Sequence, residues 1–146
     1  MAVDKKFIGK KYPPVEYEVC KEKVKEYATA IGDLNPLYID EQKAKESRYK
    51  GIVAPPMFAV VYTKDAVAEV MFDRELALNL PMLVHGEQEY EFIGVVRPGD
   101  VIITEAYVAD IYEKGDKDFV VAGGISKKKS DGSIVTKGKW TFVIRR

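Results

Sequence analysis

The sequence feature that most constrains the fold is a long apolar run over residues 55–72, which opens with two prolines. Because proline is tolerated in the first turn of a helix, the pair predicts where a helix begins. Within the run only Lys64, Asp65 and Glu69 are charged. A helix this apolar has to be buried nearly all round, and about seventeen residues at 1.5 Å each give a rod of roughly 25 Å. The rest of the chain is therefore expected to cover this helix.

The second half of the chain predicts antiparallel strands joined by turns. The expected strands cover residues 82–93, 101–113, 119–128 and 134–144. Asp131-Gly132, between the last two, is a strong hairpin signal. In the last strand, alternate residues from Ile134 to Ile144 form one face and Lys137 and Lys139 lie on the other, which predicts one solvated face. One buried helix with an antiparallel sheet wrapped around it is an α+β layout.

Two shorter helices are expected in the first half. Over residues 21–31 an apolar face repeats at i, i+3, i+4 and i+7, and it consists of Val24, Tyr27, Ala28 and Ile31. Residues 32–36, Gly-Asp-Leu-Asn-Pro, break this helix, since glycine ends helices and Asn-Pro favours an extended or turn conformation. Asp40 can cap a second helix that runs to about Arg48, with Gly51 closing it.

Size and charge indicate one globular domain over residues 1–146. Lys plus Arg and Asp plus Glu both number 23, so no net field draws the protein to nucleic acid or to anionic lipid. The longest uncharged run, residues 51–63, is too short to span a bilayer, and the polar N-terminus does not resemble a signal peptide. Cys20 is the only cysteine and is predicted to be a small buried thiol, so no disulfide and no cysteine metal site is expected. A cytoplasmic protein without metal or cofactor is the expectation.

Four segments carry a resemblance to a known family. Residues 27–40, with Gly-Asp-Leu-Asn-Pro-Leu-Tyr at their centre, resemble the active-site loop of MaoC-like dehydratases, which include the (R)-specific enoyl-CoA hydratases. Residues 51–56, 85–88 (His-Gly-Glu-Gln) and 97–100 (Arg-Pro-Gly-Asp) agree in order and spacing, so the resemblance covers nearly the whole chain. It implies the hotdog fold, a curved antiparallel sheet around one long helix. It also implies a homodimer, or a heterodimer with a second hotdog subunit, that holds acyl chains between its two units.

The resemblance implies reversible hydration of a trans-2-enoyl thioester to an (R)-3-hydroxyacyl thioester, carried on coenzyme A or on acyl-carrier protein. By motif position, Asp33 would be the catalytic carboxylate and Asn35 the amide that positions water, and Tyr38 stands at the third catalytic position. Backbone N–H groups at the start of the central helix would hold the thioester oxygen. The substrate-binding residues implied in this way are Pro56, Met57, Phe58, His85 and Gln88.

Three departures from the family pattern bear on the activity. Tyr38 replaces the motif histidine, and an ordinary tyrosine pKa near 10 makes it a poor proton shuttle at neutral pH. Pro55-Pro56 occupies the place where active hydratases have a glycine N–H, and proline has none. His-Gly-Glu-Gln at residues 85–88 resembles the half of double-hotdog hydratases that accommodates the acyl tail. Together they predict a substrate-binding subunit that needs a catalytic partner.

Other interpretations stay open at this point. The chain could be a self-sufficient hydratase using Asp33 and Asn35, a thioesterase with a carboxylate on the central helix (Asp65 or Glu69), or a non-enzymatic acyl-thioester binding protein. Single residues also have plainer interpretations. Asp33 and Asn35 are common turn residues, Tyr38 could serve packing, and His85 could be a structural histidine at a strand start. Gln88, Tyr90 and Phe92 alternate on one strand face, where they could line a dimer interface, an acyl tunnel or the core.

Overall fold

The chain folds as one five-stranded sheet packed against one long helix in a computed structural model that describes residues 2–146. The helices are α1 (Lys21–Ala30), α2 (Pro36–Ile39), α3 (Glu41–Glu46) and α4 (Ala59–Met71), and a 3-10 turn at Pro56–Phe58 leads into α4. The strands are β1 (Val15–Glu18), β2 (Leu83–Phe92), β3 (Val101–Lys114), β4 (Lys117–Lys128) and β5 (Ile134–Arg145). The predicted α+β layout is confirmed.

All strand pairs are antiparallel, and the order across the sheet is β1-β3-β4-β5-β2. The β3–β4 and β4–β5 connections are hairpins, whereas β2 reaches the far edge by pairing with β5. Register shifts interrupt β2 between His85 and Glu87 and β3 between Val108 and Asp110. Such bulges bend a strand and increase its twist, which helps the sheet curve around α4.

The central helix is buried on most of its surface. Its fully buried residues are Ala59, Val61, Tyr62, Thr63, Ala66, Val67 and Val70. Lys64, Asp65 and Glu69 form the exposed stripe, so the predicted burial is confirmed except where the charges lie. Phe72, at the end of the predicted run, caps the helix and is 61% exposed. Within residues 2–146 no helix has the length and apolar character needed to cross a membrane.

Helix α1 shows how far periodicity predicts burial. Val24 and Ala28 are fully buried, as the apolar face predicted, but Ile31 is 52% exposed, and this part of the prediction is wrong. Ile31 is the C-cap residue, so the chain has already left the helical turn that faces the core. Gly32 follows with φ +73°, and the Asp33 N–H donates to the Ala28 carbonyl, which closes the helix in a Schellman arrangement.

Two local features differ from expectation near this helix. Cys20 is exposed rather than buried, because Val19 before it occupies the core and Cys20 starts α1. The Asn-Pro pair was expected to break helical structure, yet α2 begins there, since proline at the first helical position is pre-organised for a helix. Asp40 accepts a hydrogen bond from the Lys43 N–H at 3.0 Å and caps α3 as predicted.

Candidate active site

An apolar cavity of about 250 Å³ lies between α2, the start of the central helix and the end of β2. Its walls are mostly aromatic and aliphatic side chains, together with one threonine and a glycine. The lining residues are Leu37, Tyr38, Tyr49, Val53, Ala54, Pro56, Tyr62, Phe92, Ile93, Gly94, Val95, Val96 and Thr136. The set contains no carboxylate, imidazole or ammonium group. The cavity is suited to an acyl chain, and its lining places no charged group against such a ligand.

Tyr62 and Thr136 form the polar part of this lining. The Tyr62 hydroxyl and the Thr136 hydroxyl lie 2.5 Å apart, and either can be the donor. Burial raises the pKa of Tyr62 to about 12, so its hydroxyl stays protonated at physiological pH. Because the two hydroxyl groups satisfy each other, an apolar ligand beside them leaves no buried polar group without a partner.

Tyr38 lies on the cavity wall, half-buried, and its N–H donates to the Asn35 carbonyl at 3.0 Å. Burial raises the pKa of the Tyr38 hydroxyl above its ordinary value, and the negative charge of Asp33 raises it further. A hydroxyl with such a pKa keeps its proton near neutral pH, so Tyr38 can donate a hydrogen bond but is a poor general base.

Asp33 and Asn35 lie on the loop that joins α1 to α2, just before the cavity residues Leu37 and Tyr38 in the chain, and both are exposed. Asp33 Oδ1 accepts a hydrogen bond from the Asn35 N–H at 3.3 Å, and Asn35 Oδ1 accepts one from the Leu37 N–H at 3.0 Å. The loop and the short helix after it therefore keep the three predicted catalytic residues within one stretch of six residues. The loop also uses two of them as local turn and capping groups, while Asn35 keeps its amide NH₂ as a donor.

The start of the central helix places its three predicted residues differently. Pro56 lines the cavity but has no N–H. Phe58 was predicted to bind substrate, but it is fully buried in the core, with its ring edge-on to Tyr27 at a centroid distance of 5.5 Å, and it does not line the cavity. Its N–H is also engaged, with the Pro55 carbonyl at 2.9 Å.

Met57 is the remaining residue of this helix start. Its side chain is 42% exposed, and its carbonyl accepts a hydrogen bond from the Tyr27 hydroxyl at 3.0 Å. For the Met57 N–H, residues 2–146 provide no backbone acceptor. It is thus the first N–H at this helix start that can serve a thioester oxygen.

His85 and Gln88 lie elsewhere on β2 and do not line the cavity. The His85 ring stacks on Trp140 at 4.9 Å, and its Nε2 is 3.0 Å from the Glu87 carbonyl oxygen. Gln88 donates from Nε2 to the Lys139 carbonyl at 3.1 Å, while its buried Oε1 has no hydrogen-bond partner within residues 2–146. Four residues further along, Phe92 does reach the cavity, a displacement of roughly 13 Å in an extended strand.

Several cavity residues were not among the sequence candidates, and these are Tyr49, Tyr62, Ile93, Val95, Val96 and Thr136. For Ile93 and Val95 the sequence did contain a signal, because two apolar residues flank Gly94 at and just beyond the end of the predicted strand. Both remain partly exposed, at 50% and 39%. Tyr49 and Thr136 carried no such signal, because only the fold brings them to this wall.

Comparisons with known proteins agree on a family. A model of the FAS1-like, dehydratase domain region matches residues 6–137. A UPF0336 protein of Streptomyces avermitilis is 36% identical over 137 residues, covering 93% of this chain and 91% of the relative. One from Saccharopolyspora erythraea is 36% identical over 146 residues, covering 99% and 93%.

Solved structures agree on the fold. The C-terminally truncated HadBC (3R-hydroxyacyl-ACP dehydratase) complex of Mycobacterium tuberculosis matches with a TM-score of 0.82 at 23% identity, covering 98% of this chain and 99% of that one. The R-hydratase PhaJ1 of Pseudomonas aeruginosa matches with a TM-score of 0.72 at 22% identity, covering 95% and 82%. The chain therefore belongs to the FAS1-like dehydratase-region family and has the hotdog fold of the MaoC-like dehydratases.

Proposed function

We propose that this protein is the acyl-binding subunit of a fatty-acyl thioester dehydratase. Its substrate is a trans-2-enoyl or (R)-3-hydroxyacyl thioester on coenzyme A or acyl-carrier protein. A second hotdog subunit supplies the complete Asp-x-Asn-Pro-x-His motif. This chain holds the acyl group, and the partner moves the protons that accompany addition or loss of water.

The observation that carries this proposal is the lining of the apolar cavity. It offers a half-buried phenol at Tyr38 and a paired phenol at Tyr62, both with raised pKa values, and no group that exchanges protons near pH 7. Hydration needs a general base and a general acid in hydrogen-bond reach of the β-carbon and its water. This cavity can therefore bind the acyl chain without completing the reaction.

The start of the central helix supports the same division of roles. Pro56 contributes its ring to the cavity wall and no N–H, which leaves Met57 as the first donor for a thioester oxygen. Removing one donor from such a site typically costs a factor of about 10² to 10³ in rate. The resemblance in fold to a heteromeric 3R-hydroxyacyl-ACP dehydratase complex is consistent with a chain that works beside a partner.

A self-sufficient hydratase is the second candidate, and one observation favours it. Besides burial, the charge of Asp33 raises the pKa of the Tyr38 phenol, so a carboxylate acts electrostatically on a hydrogen-bond donor of the cavity wall. The thioesterase alternative lacks such support. Asp65 is exposed and paired with Lys64 at 2.7 Å, and neither it nor Glu69 lines the apolar cavity.

Two measurements on the purified chain test the proposal. Binding of trans-2-octenoyl-CoA is expected, and Phe92→Ser should weaken it by about tenfold, since burying a phenylalanine contributes about 1.5–3 kcal/mol and Phe92 is half exposed without ligand. Phe72→Ser is the matched control, because Phe72 is also exposed but does not line the cavity.

Hydration of the same thioester, followed by loss of enoyl absorbance, should be negligible for the chain alone. It should appear on addition of a hotdog subunit that carries the full motif. Turnover by the chain alone that Asp33→Ala abolishes and Glu26→Gln leaves intact would replace the binding-subunit proposal with the self-sufficient hydratase. Absence of thioester binding would exclude both.

A further inference from the structure

A second cavity adjoins the apolar one, and its walls are cationic. It measures about 310 Å³ and is lined by Lys21, Glu41, Lys45, Lys50, Gly51, Ile52, Arg97 and Pro98. Four side chains are positively charged and one is negatively charged, which leaves a net charge of +3. This cluster of positive charge was not predictable, since its residues lie in four separate stretches of a chain with no net charge.

Three of the four cations lack a carboxylate partner. Lys21 is paired with Glu41 at 3.1 Å, which holds the pKa of Glu41 below its usual value. Within residues 2–146, no carboxylate oxygen lies within 4.0 Å of the charged nitrogens of Lys45, Lys50 or Arg97. Asp100, the nearest acid along the chain, accepts the Arg97 backbone N–H at 2.9 Å but pairs its charge with Lys128 at 3.0 Å. Like charges that converge in this way repel each other, and an anion would relieve the repulsion.

The backbone holds two of these cations in place. Lys50 has a left-handed conformation with φ +59°, which is uncommon for a residue other than glycine, asparagine or aspartate. Arg97 is half-buried and lies beside Gly51, where an added Cβ would be 3.9 Å from Nη1. A planar, partly desolvated guanidinium beside an open backbone position is well suited to bidentate contact with a phosphate.

The two cavities follow each other along the same pair of segments. Residues 53–54 and 95–96 line the apolar cavity, and residues 51–52 and 97–98 line the cationic one. The Ala54 N–H donates to the Val96 carbonyl at 2.8 Å and holds the segments side by side. The two cavities are therefore lined by consecutive residues of the same two segments, and a single ligand that used both would need an apolar end and an anionic end.

We infer that the cationic cavity binds the phosphate of the pantetheine arm that carries the acyl group. The inference rests on the proposed function, because it gives the apolar cavity to the acyl chain of the same ligand. The shared chemistry is a phosphate linked to pantetheine, which occurs in coenzyme A and in the arm of an acyl-carrier protein.

Three octenoyl thioesters separate the contributions of the pantetheine phosphate and of the nucleotide to binding. They are octenoyl-pantetheine, which has no phosphate, octenoyl-4′-phosphopantetheine and octenoyl-CoA. For the wild-type chain, the phosphorylated thioesters should bind at least about tenfold more tightly than octenoyl-pantetheine, the size of one charge-assisted hydrogen bond. Equal binding of the two phosphorylated forms would assign recognition to the phosphate shared with carrier proteins. Tighter binding of octenoyl-CoA would assign it to the nucleotide phosphates as well, and so to coenzyme A.

Charge-removing variants test the residues themselves. Arg97→Gln and Lys50→Asn, which keeps a residue that tolerates the left-handed conformation, should each remove most of the advantage of the phosphorylated thioesters and leave octenoyl-pantetheine binding unchanged. Lys117→Gln is the matched control, because it removes the charge of a lysine that lines neither cavity. The inference is overturned if phosphate gives no advantage, or if both variants retain it, and in either case the acyl cavity stands. Failure of all three thioesters to bind would instead overturn the proposed function and this inference with it.

Discussion

At the residue scale, Asn35 combines two tasks on separate atoms of one side chain. Its Oδ1 accepts the Leu37 N–H and caps α2, while its exposed NH₂ group remains able to donate. The family role of this residue, positioning water, uses the amide as a whole. A substitution therefore has to be chosen so that the capping and donating roles are separated.

We predict that Asn35→Ala lowers the free energy of unfolding by about 1 kcal/mol, because the first turn of α2 loses its cap. Asn35→Asp should keep most of that stability, since a carboxylate caps as well as an amide, while it removes the donor. Urea denaturation of the three proteins checks this. Equal stability of wild type and Asn35→Ala would show that the side chain does not cap the helix.

At the residue scale, the predicted site residues that are neighbours in sequence stay neighbours in the fold. Asp33 and Asn35 lie on the loop before α2 and Tyr38 lies within α2, whereas the side chain of Phe58 faces the core and not the apolar cavity. Spacing along a helix shows which residues share a face. It does not show whether that face meets the core or a cavity, because the opposing surface comes from β1, α1 and residues far along the chain.

At the element scale, β2 and β5 are fitted together by one close contact. Gly138 is the cross-strand partner of Tyr90, and an added Cβ at Gly138 would lie 2.5 Å from the ring carbon Cε1 of Tyr90. That ring cannot easily swing away, because its hydroxyl is bonded to Thr63 at 3.0 Å and to Trp140 at 3.1 Å. Because Gly138 has no side chain, the Tyr90 ring of β2 can lie against β5 and reach both hydrogen-bond partners.

We predict that Gly138→Ala destabilises the protein by about 1–3 kcal/mol, the usual cost of overpacking, because Tyr90 has to leave its hydrogen bonds. Gly124→Ala is a closely matched control. Gly124 is the cross-strand partner of Gly138 on β4, and its nearest neighbour would be Thr104 Cγ2 at an ordinary 3.6 Å. Thermal unfolding of both variants measures the difference, and equal effects would show that Tyr90 is not held as described.

The ends of the four predicted strands, β2 to β5, were correct to within two residues. The face of the sheet on which His85 and Gln88 lie was not predictable. His85 and Gln88 are three residues apart, so strict alternation puts them on opposite faces. The bulge between His85 and Glu87 shifts the register, and both residues end opposite core-facing partners, Phe142 and Trp140. A bulge at Gly86 leaves no mark in the hydrophobic pattern, because glycine fits either face.

At the scale of the whole molecule, the sheet ends in an open edge. Within residues 2–146, β2 pairs with β5 on one side, and the other side of its ten residues has no pairing strand. Apolar side chains along it are exposed at Met82, Val84, Phe92 and Ile93, by 41% to 60%. A long edge with apolar flanks is a template for pairing with another chain unless something covers it. The α+β class followed from one buried helix and alternating strands, whereas the occupant of an open sheet edge leaves no pattern in the sequence of the strand itself.

The proposed partner subunit gives this edge its occupant, and the isolated chain should use a second copy instead. We therefore predict that the purified chain self-associates at micromolar concentration, and that Val84→Lys shifts it towards monomer because a charge would be placed against the pairing strand. Ile8→Lys also replaces an aliphatic residue with lysine, at a residue that is 44% exposed but lies beside β3, which β4 and β5 separate from β2. Sedimentation velocity over a range of concentrations compares the three proteins. Equal weakening of association by Val84→Lys and Ile8→Lys, or a wild-type chain that stays monomeric throughout, would show that the subunit does not pair through β2. A partner would then have to approach the apolar cavity, which lies near the end of β2, through another surface.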